Sequence, residues 1–482
     1  MDTTQFFTVF GTEAWLGLLA LVLITVDLVV GRGRLTGPAD MVRLCALGGL
    51  ALILLQTFTL EPVADTLSCG TLDAFAIFFK RFFVGTALLT LLISGPYEAR
   101  MPAGRGEFPA MLVFTTMGMS MLASVNDFVS LFVALELVTV TLFLMAAWRA
   151  GLPRSIEAGI KFVIIGAVAA AFLVYGTAFV YGGTGSLDFA GVAAVLQSDV
   201  PVSAALKFGI LLVLVGLGFK IGAVPFHIWI PDVYQGAPTP VTAFLSVGSK
   251  GAGVVLLMRL VYTIMGPAAA EWATVLAGLA ALTLLMGNLG AISQTDLKRF
   301  LGYSGIAHAG FLLLALSVHS EASASAMMFY MVAYLFTNML AFLVIIIVSR
   351  TADNAHMDRI NGLAERSPFL AFAMTVSMLS LAGVPPFSGF FAKFMILRAA
   401  VRDPSLLPVV ILSLIMIVVS LYYYLCILKR IYFREPKDES VLEISGPARL
   451  VLYGGVLVTF LLGIFMNPLV EAANKGAHSL FE

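Results

Sequence analysis

Residues 215–253 read VGLGFKIGAVPFHIWIPDVYQGAPTPVTAFLSVGSKGAG. Lys220 and Lys250 stand among residues that otherwise suit a membrane interior, and Pro225 and His227 lie between them. Proline has no N–H and its ring clashes with the preceding turn, so no regular helix runs through Pro225. An ammonium near the bilayer centre costs at least about 2.5–3.5 kcal/mol. Loose backbone at membrane depth is tolerated only against protein or water. The stretch therefore predicts membrane helices that are broken and charged for a purpose.

The rest of the chain supplies the membrane. Of 482 residues, 60% are hydrophobic and 12% charged, against about 25% charged in soluble domains. Apolar runs near the roughly 20 residues that cross a bilayer recur fourteen times. They lie near 13–31, 41–60, 72–95, 108–125, 127–148, 156–181, 204–230, 240–263, 271–291, 300–318, 323–349, 368–400, 405–430 and 447–467. The expected fold is an all-α polytopic membrane protein of about 14 transmembrane helices.

Arg32, Arg34, Arg43, Arg100, Arg105, Arg149, Arg154, Lys298, Arg299, Arg350, Arg359, Arg366, Lys429, Arg430, Arg434, Lys437 and Arg449 fall in one set of loops. The alternate set holds little beyond Lys207, Arg402 and Lys475. The positive-inside rule then places the basic loops in the cytoplasm (or an organelle matrix) and both termini on the other side. The N-terminal MDTTQFFTVFGTEAW has no basic flank before its apolar run, which predicts a retained span rather than a secretory signal.

GAVPF at 222–226 resembles GVPPF at 383–387, five spans later. Similar elements an odd number of spans apart cross in opposite directions, the pattern of inverted repeats with broken helices. The predicted division is 1–107 for helices 1–3, 108–263 for a first repeat of helices 4–8, 264–434 for a second of helices 9–13, and 435–482 for helix 14. Helices 7 and 12 are the broken ones. Pro225 should free the carbonyl of Ile221, and Pro385 and Pro386 those of Leu381 and Ala382, with both breaks facing the bundle interior.

Four ionisable residues sit near mid-span: Glu136, Lys220, Lys250 and Lys393. One carboxylate cannot neutralise three lysines, so a set of structural ion pairs is a poor account. Burial lowers a lysine's proton affinity and a nearby carboxylate restores it. A lysine poised between the two can bind and release a proton. Glu136 and Lys220 form the natural gate, Lys250 the next carrier and Lys393 a later one, with water filling the gaps. His308, near the middle of span ten, could bridge the two repeats, since neutral imidazole both accepts and donates, or be a satisfied packing residue. His227, just beyond the first break, could pair with the freed carbonyls. Lys161, near the basic face, is an entry residue or a side chain snorkelling to the interface. Lys80, Arg81 and Arg259 read as snorkelling or lipid-facing anchors.

Zero net charge points to no nucleic-acid partner. Cys45, Cys69 and Cys426 are far apart, without the CxxC spacing of a zinc or iron–sulfur site. No glycine-rich phosphate loop stands in a βα setting. No metal or cofactor site is therefore expected in this chain.

FKIGAVPFHIWIPDVYQGAPTPVTAFLSVGSK closely resembles the signature of the antiporter-like membrane subunits of respiratory complex I. Within that family, PDVYQGAPTPVTAF and a lysine at 393 suit one branch, where a sister subunit usually carries glutamate. The resemblance implies fourteen helices, with Glu136, Lys220, Lys250 and Lys393 matching the family's ionisable residues on spans five, seven, eight and twelve. It implies proton translocation driven by electron transfer from NADH to quinone, with NADH, FMN, iron–sulfur clusters and quinone on other subunits. It also implies a bacterial inner membrane and partners among the other membrane subunits, sister antiporter-like subunits included. The alternatives are a subunit of a multi-subunit cation/proton antiporter and a passive spacer. A sodium path would favour clustered carboxylates and carbonyls, whereas three lysines favour protons. Lys220 precedes its proline and Lys393 follows its own, so superposed breaks set Lys393 opposite Asp232.

Overall fold

The computed structural model describes residues 3–30, 38–63, 67, 69–100, 106–198, 201–266, 269–350, 354–436, 442 and 444–481. Among these residues the chain is helical, with no strand beyond isolated bridges. The N-terminal crossings are α1 (Thr3–Val30), α2 (Pro38–Thr57) and α3 (Ala74–Ser94). Next come α4 (Glu107–Ser124), α5 (Phe128–Ala146) and α6 (Pro153–Thr184), then the short α7 (Phe189–Gln197). The first broken crossing is α8 (Ala204–Ile221) with α9 (Trp229–Gly236). The crossing after it joins α10 (Thr239–Phe244) and α11 (Lys250–Arg259) through π-helical turns at Leu245–Ser249 and Leu260–Ile264.

The second half holds α12 (Ala269–Ile292), α13 (Leu297–Leu316), α14 (Glu321–Val348) and the short α15 (Leu363–Arg366). The second broken crossing is α16 (Pro368–Ala382) with α17 (Ser388–Ala400), followed by α18 (Leu407–Phe433), α19 (Gly446–Ile464) and α20 (Asn467–His478). Eleven helices among the described residues are long and apolar enough to span a membrane. The shorter apolar α2 and α16 and the eighteen-residue α4 complete the fourteen expected crossings. Two amphipathic helices, α7 and α20, were not foreseen. Arg32, Arg34, Arg105 and Lys437, four of the basic loop residues, lie outside the described residues.

Both breaks are built alike. α8 ends at Gly222 with φ 76° and α16 at Gly383 with φ 87°, a left-handed backbone that glycine adopts without cost. The proline follows within three residues and the helix resumes beyond it. A second pair of features matches as well. Asp127 caps α5 and pairs in an isolated antiparallel bridge with Asp188; Asp296 caps α13 and pairs likewise with His356. Corresponding elements of the two inverted five-helix repeats thus start and stop with the same local chemistry on opposite faces.

The crossing Thr239–Ile264 is wholly enclosed, and α13 and α14 nearly so. α6 and α18 are mostly exposed, with apolar side chains outward. The core therefore forms around the helices that carry Lys250 and His308.

The structure departs from the sequence reading at the breaks and at three basic residues. Pro225, Pro385 and Pro386 are themselves exposed. The chain bulges outward at each proline, and what turns inward at the second break is its carbonyls. The expected anchors are also not anchors in lipid. Arg259 is buried, bonded through Nη1 to Asp73 Oδ2 at 2.6 Å and through Nη2 to the Ala123 carbonyl at 2.7 Å. Arg81 turns to the Thr57 carbonyl and lies over Phe58. Lys80 is fully buried and bonds Glu13 at 2.8 Å. In each case a partner on another helix was close enough to make burial cheaper than reaching for water. Removing one partner of a buried ion pair costs about 3–5 kcal/mol. Lys80→Ala is accordingly expected to deplete the assembled protein, read on a native gel of solubilised membranes.

Candidate functional site

Lys220, Lys250 and Lys393 are each only 3–4% exposed. None of them has a carboxylate within 4.0 Å among the described residues. Lys220 Nζ, in the last turn of α8, donates to Thr139 Oγ1 on α5 at 2.6 Å. The Thr139 hydroxyl in turn donates a hydrogen bond to the Leu135 carbonyl. Glu136 stands one helical turn from Thr139 on α5, and its charge acts on Lys220 without direct contact. The expected Glu136–Lys220 pair is thus open, with a threonine holding the ammonium.

Glu136 is half-buried. It lies in the stripe of α5 that exposes Val129, Val133, Val140 and Leu144, so its carboxylate looks out of the chain's side. The Lys220 ammonium has three donors, and Thr139 takes one.

Lys250 begins α11 directly after the first π-turn, a distortion that is frequent at functional sites. Its ammonium donates to the Gly305 carbonyl on α13 and to Tyr334 Oη on α14 at 3.3 Å. A Cβ at position 305 would stand 2.7 Å from Lys250 Nζ and push the flexible ammonium aside, so the glycine lets Lys250 reach this carbonyl. These two bonds carry the connection between repeats that had been expected of His308. His308 itself bonds Tyr330 Oη through Nδ1 and faces Tyr424 Oη at 3.4 Å through Nε2, and Tyr424 bonds Ser304 at 2.6 Å. It lies within electrostatic reach of both Lys250 and Lys393.

A cavity of about 10 Å³ touches His308, Tyr334, Thr337, Ser380 and Leu381, close to the smallest space that holds one water. Beyond it Lys393 Nζ donates to the Leu381 carbonyl at 2.7 Å and the Ala382 carbonyl at 3.0 Å. These are the carbonyls expected to be freed by Pro385 and Pro386. Lys393 therefore serves the break as well as carrying a charge.

The structure thus gathers Lys250, His308 and Lys393 around Tyr330, Tyr334 and Tyr424, with Lys220 and Glu136 to one side. It leaves two candidates apart. Lys161 bonds Asp232 Oδ2 at 2.7 Å and Glu157 at 2.8 Å, and Asp232 also pairs with Arg299. This half-exposed cluster joins α6, α9 and α13 near the basic face. His227 sits half-exposed beside the first break with Nδ1 unpartnered, turned toward the Pro225 carbonyl rather than that of Ile221.

Thr139 and the three tyrosines carry no distinctive signal in the sequence, where Asp232 stands out only as the position opposite Lys393 and Arg299 only as a loop charge. Tyr330 and Tyr334 lie four apart on one helix face, a spacing that could have flagged them, but aromatic residues on an apolar helix usually mean packing. Tyr330→Phe keeps the ring and removes the hydroxyl on His308. A few-fold slower turnover is expected, the effect of one net hydrogen bond of about 1 kcal/mol, with normal assembly. A rate equal to the parent's would show that Tyr330 only packs.

Broken helices, matched repeats and a row of buried lysines define a class of ion-translocating membrane subunit. Residues 125–420 match the family described as NADH:quinone oxidoreductase/Mrp antiporter, TM, and the chain belongs to that family. Within it the chain falls with subunit N of NADH-quinone oxidoreductase. It is 39% identical over 478 residues to that subunit of Heliobacterium modesticaldum, covering 98% of this chain and 100% of the relative. It is 37% identical to that of Rhodospirillum rubrum, covering 97% and 96%. A chain of respiratory complex I from Thermus thermophilus superposes with TM-score 0.81 at 32% identity, over 95% of this chain and 98% of that one. A chain of the Mrp complex from Dietzia sp. DQ12-45-1b shares the fold, with TM-score 0.84 at 21% identity over 98% of each. The chain is accordingly a multi-pass membrane subunit of a proton-translocating NADH-quinone oxidoreductase, a translocase. No group of three or more His, Cys, Asp or Glu among the described residues is placed to hold a metal.

Proposed function

We propose that Glu136, Lys220, Lys250, His308 and Lys393 carry the protons that this subunit moves. The observation that supports this reading best is the burial of three lysines, each bonded to hydroxyl or carbonyl oxygens but to no carboxylate. An ammonium held only by neutral acceptors is stabilised less than one in an ion pair, so it releases its proton more readily. Glu136 acts as the switch. As its charge moves toward Lys220, the lysine keeps its proton; as it withdraws, the proton passes inward. Thr139 holds Lys220 meanwhile. Lys250 receives the proton, Tyr334, His308 and a water in the small cavity pass it on, and Lys393 holds it at the second break. Lys161, with Asp232 and Arg299, forms the entry from the basic side. His227 has the weakest claim, because it stands outside the row.

In this reading residues 108–263 and 264–434 are the two repeats, 1–107 precedes them, and 435–482 follows. Electron transfer on other subunits, which hold NADH, FMN, iron–sulfur clusters and quinone, supplies the energy. Neighbouring membrane subunits, sister antiporter-like subunits among them, cover part of the apolar surface and lipid covers the rest. The membrane is the bacterial inner membrane, with the basic loops cytoplasmic and both termini periplasmic.

Glu136→Gln tests the switch. It keeps shape and removes charge, so NADH-driven quinone reduction and proton uptake are both expected to fall several-fold in assembled complex. Full activity of both would discard Glu136 as the switch. The second reading, a cation/proton antiporter subunit, rests on the shared Mrp fold. It requires uptake to depend on sodium, whereas the proton reading requires the same uptake in sodium-free buffer.

A further inference from the structure

Buried hydroxyls in the crossings mostly donate to a carbonyl of their own helix, three or four residues back. Thr86 donates to Phe82, Thr116 to Leu112 and Ser413 to Val410 in this way. Ser304 on α13 does not. It is buried, and its hydroxyl meets Tyr424 Oη on α18 at 2.6 Å and no backbone carbonyl among the described residues. Tyr424 Oη also faces His308 Nε2 at 3.4 Å, while Tyr330 Oη bonds Nδ1 on the other side of the ring. Either oxygen can be the donor in the Ser304–Tyr424 bond.

The heavy atoms of this chain are held in place. The Tyr424 ring packs against Tyr423 at 4.6 Å and edge-on against Phe300 at 5.8 Å between centroids. Ser304 and His308 are four residues apart, on one face of α13. Only the hydroxyl protons are free to turn. That freedom suits an imidazole that changes charge. A neutral ring has one bare nitrogen and one N–H, whereas imidazolium donates from both. A partner able only to donate at Nε2 would oppose the incoming proton, and one able only to accept would oppose a bare Nε2.

We propose that Ser304 and Tyr424 are positioning residues for His308, a reversible hydroxyl pair that satisfies Nε2 whether it is bare or protonated. While Nε2 is bare, Ser304 donates to Tyr424 Oη and the Tyr424 hydroxyl donates to Nε2. Once Nε2 bears a proton, it donates to Tyr424 Oη, and the Tyr424 hydroxyl turns to Ser304 Oγ. The Ser304 hydroxyl then turns to the Phe300 carbonyl, four residues back, as its counterparts on other helices do. The ring gains one proton from the relay and later returns it, and the pair itself only rotates two O–H bonds. This inference rests on the relay reading of His308.

Ser304→Ala in membranes tests it. Imidazolium then leaves the Tyr424 hydroxyl without an acceptor, so His308 takes its proton only from a more acidic medium. The other titratable groups facing the ring, Lys250 on α11, Lys393 on α17 and Tyr330 and Tyr334 on α14, are unchanged in this variant. At equal assembly the fall of NADH-driven proton uptake toward alkaline pH is expected to set in about one pH unit lower than in the parent, the penalty of one orphaned hydroxyl expressed as proton affinity. A profile that superposes on the parent's overturns the proposal, since a serine that only packs would change assembly or overall rate and not this pH. Tyr424→Phe and the double variant S304A/Y424F are expected to share one profile, because Ser304 acts through the Tyr424 hydroxyl. A further shift in the double variant overturns the proposal. If the alanine variant does not assemble, Ser304→Cys decides: a thiol is a weak donor and acceptor, so a smaller shift in the same direction is expected and none overturns the proposal. Parental uptake in His308→Gln would overturn the relay reading of His308 and this inference with it, whereas loss there with an unshifted Ser304→Ala profile overturns this inference alone.

Discussion

Membranes carrying Lys220→Ala are expected to assemble the complex normally yet lose both NADH-driven quinone reduction and proton uptake. Lys220 Nζ makes one hydrogen bond, to Thr139. That hydroxyl keeps its bond to the Leu135 carbonyl after the lysine is gone. No buried group is orphaned, and removing a charge from the membrane interior relieves an insertion cost. Stability should therefore stay within about 1 kcal/mol of the parent, the net worth of a single hydrogen bond. The chemistry has no such cushion. A positioned group that takes and gives a proton typically contributes about 10²-fold or more, so proton passage should slow by about that factor and hold electron flow back with it. The measurement combines a native gel, a quinone-reduction assay and a pH-indicator uptake assay on one membrane preparation. Assembled complex with both activities intact would make the lysines of the 215–253 stretch structural charges.

Lys393→Ala should behave differently, losing stability as well as pumping. Its ammonium holds the Leu381 and Ala382 carbonyls at 2.7 and 3.0 Å. Both belong to the last turn of α16, where Pro385 and Pro386 supply no N–H to take them. Without the ammonium these acceptors have no protein donor, at about 1–3 kcal/mol for each if buried and unsatisfied. The relief of removing a charge offsets part of this. The purified complex should release or unfold this subunit at a lower temperature, and Lys393→Met should do the same, because it restores bulk but no donor. Parental thermal stability in both variants would mean that water replaces the ammonium at the break. The contrast with Lys220 is the stronger test, since a purely structural view of the lysines predicts no such split.

Much of this was legible in the sequence because the membrane constrains it. Fourteen apolar runs predicted the crossings, since backbone in hydrocarbon must satisfy itself within a helix. The Gly-Pro breaks declared themselves because proline cannot continue a helix and glycine can leave one in a left-handed turn. Even the carbonyls of Leu381 and Ala382 followed from the position of two prolines. The mid-span lysines were conspicuous because charge there is costly.

What the sequence by itself determined was the membrane class, the repeat, the two breaks and the identity of the buried charges, all properties that act over one turn or one span. Only the tertiary structure decided which partner each charge has. Lys80 and Glu13 are 67 residues apart, Lys220 and Thr139 are 81, and Arg259 and Asp73 are 186. Side chains that read as snorkelling in one helix became buried because another helix brought an oxygen within 3 Å. Glu136 and Lys220, which looked like a pair, stand open, and Thr139, one turn along α5, holds the ammonium instead. A hydrogen bond acts over a few ångströms, and which oxygens lie within that distance is settled by how the helices pack.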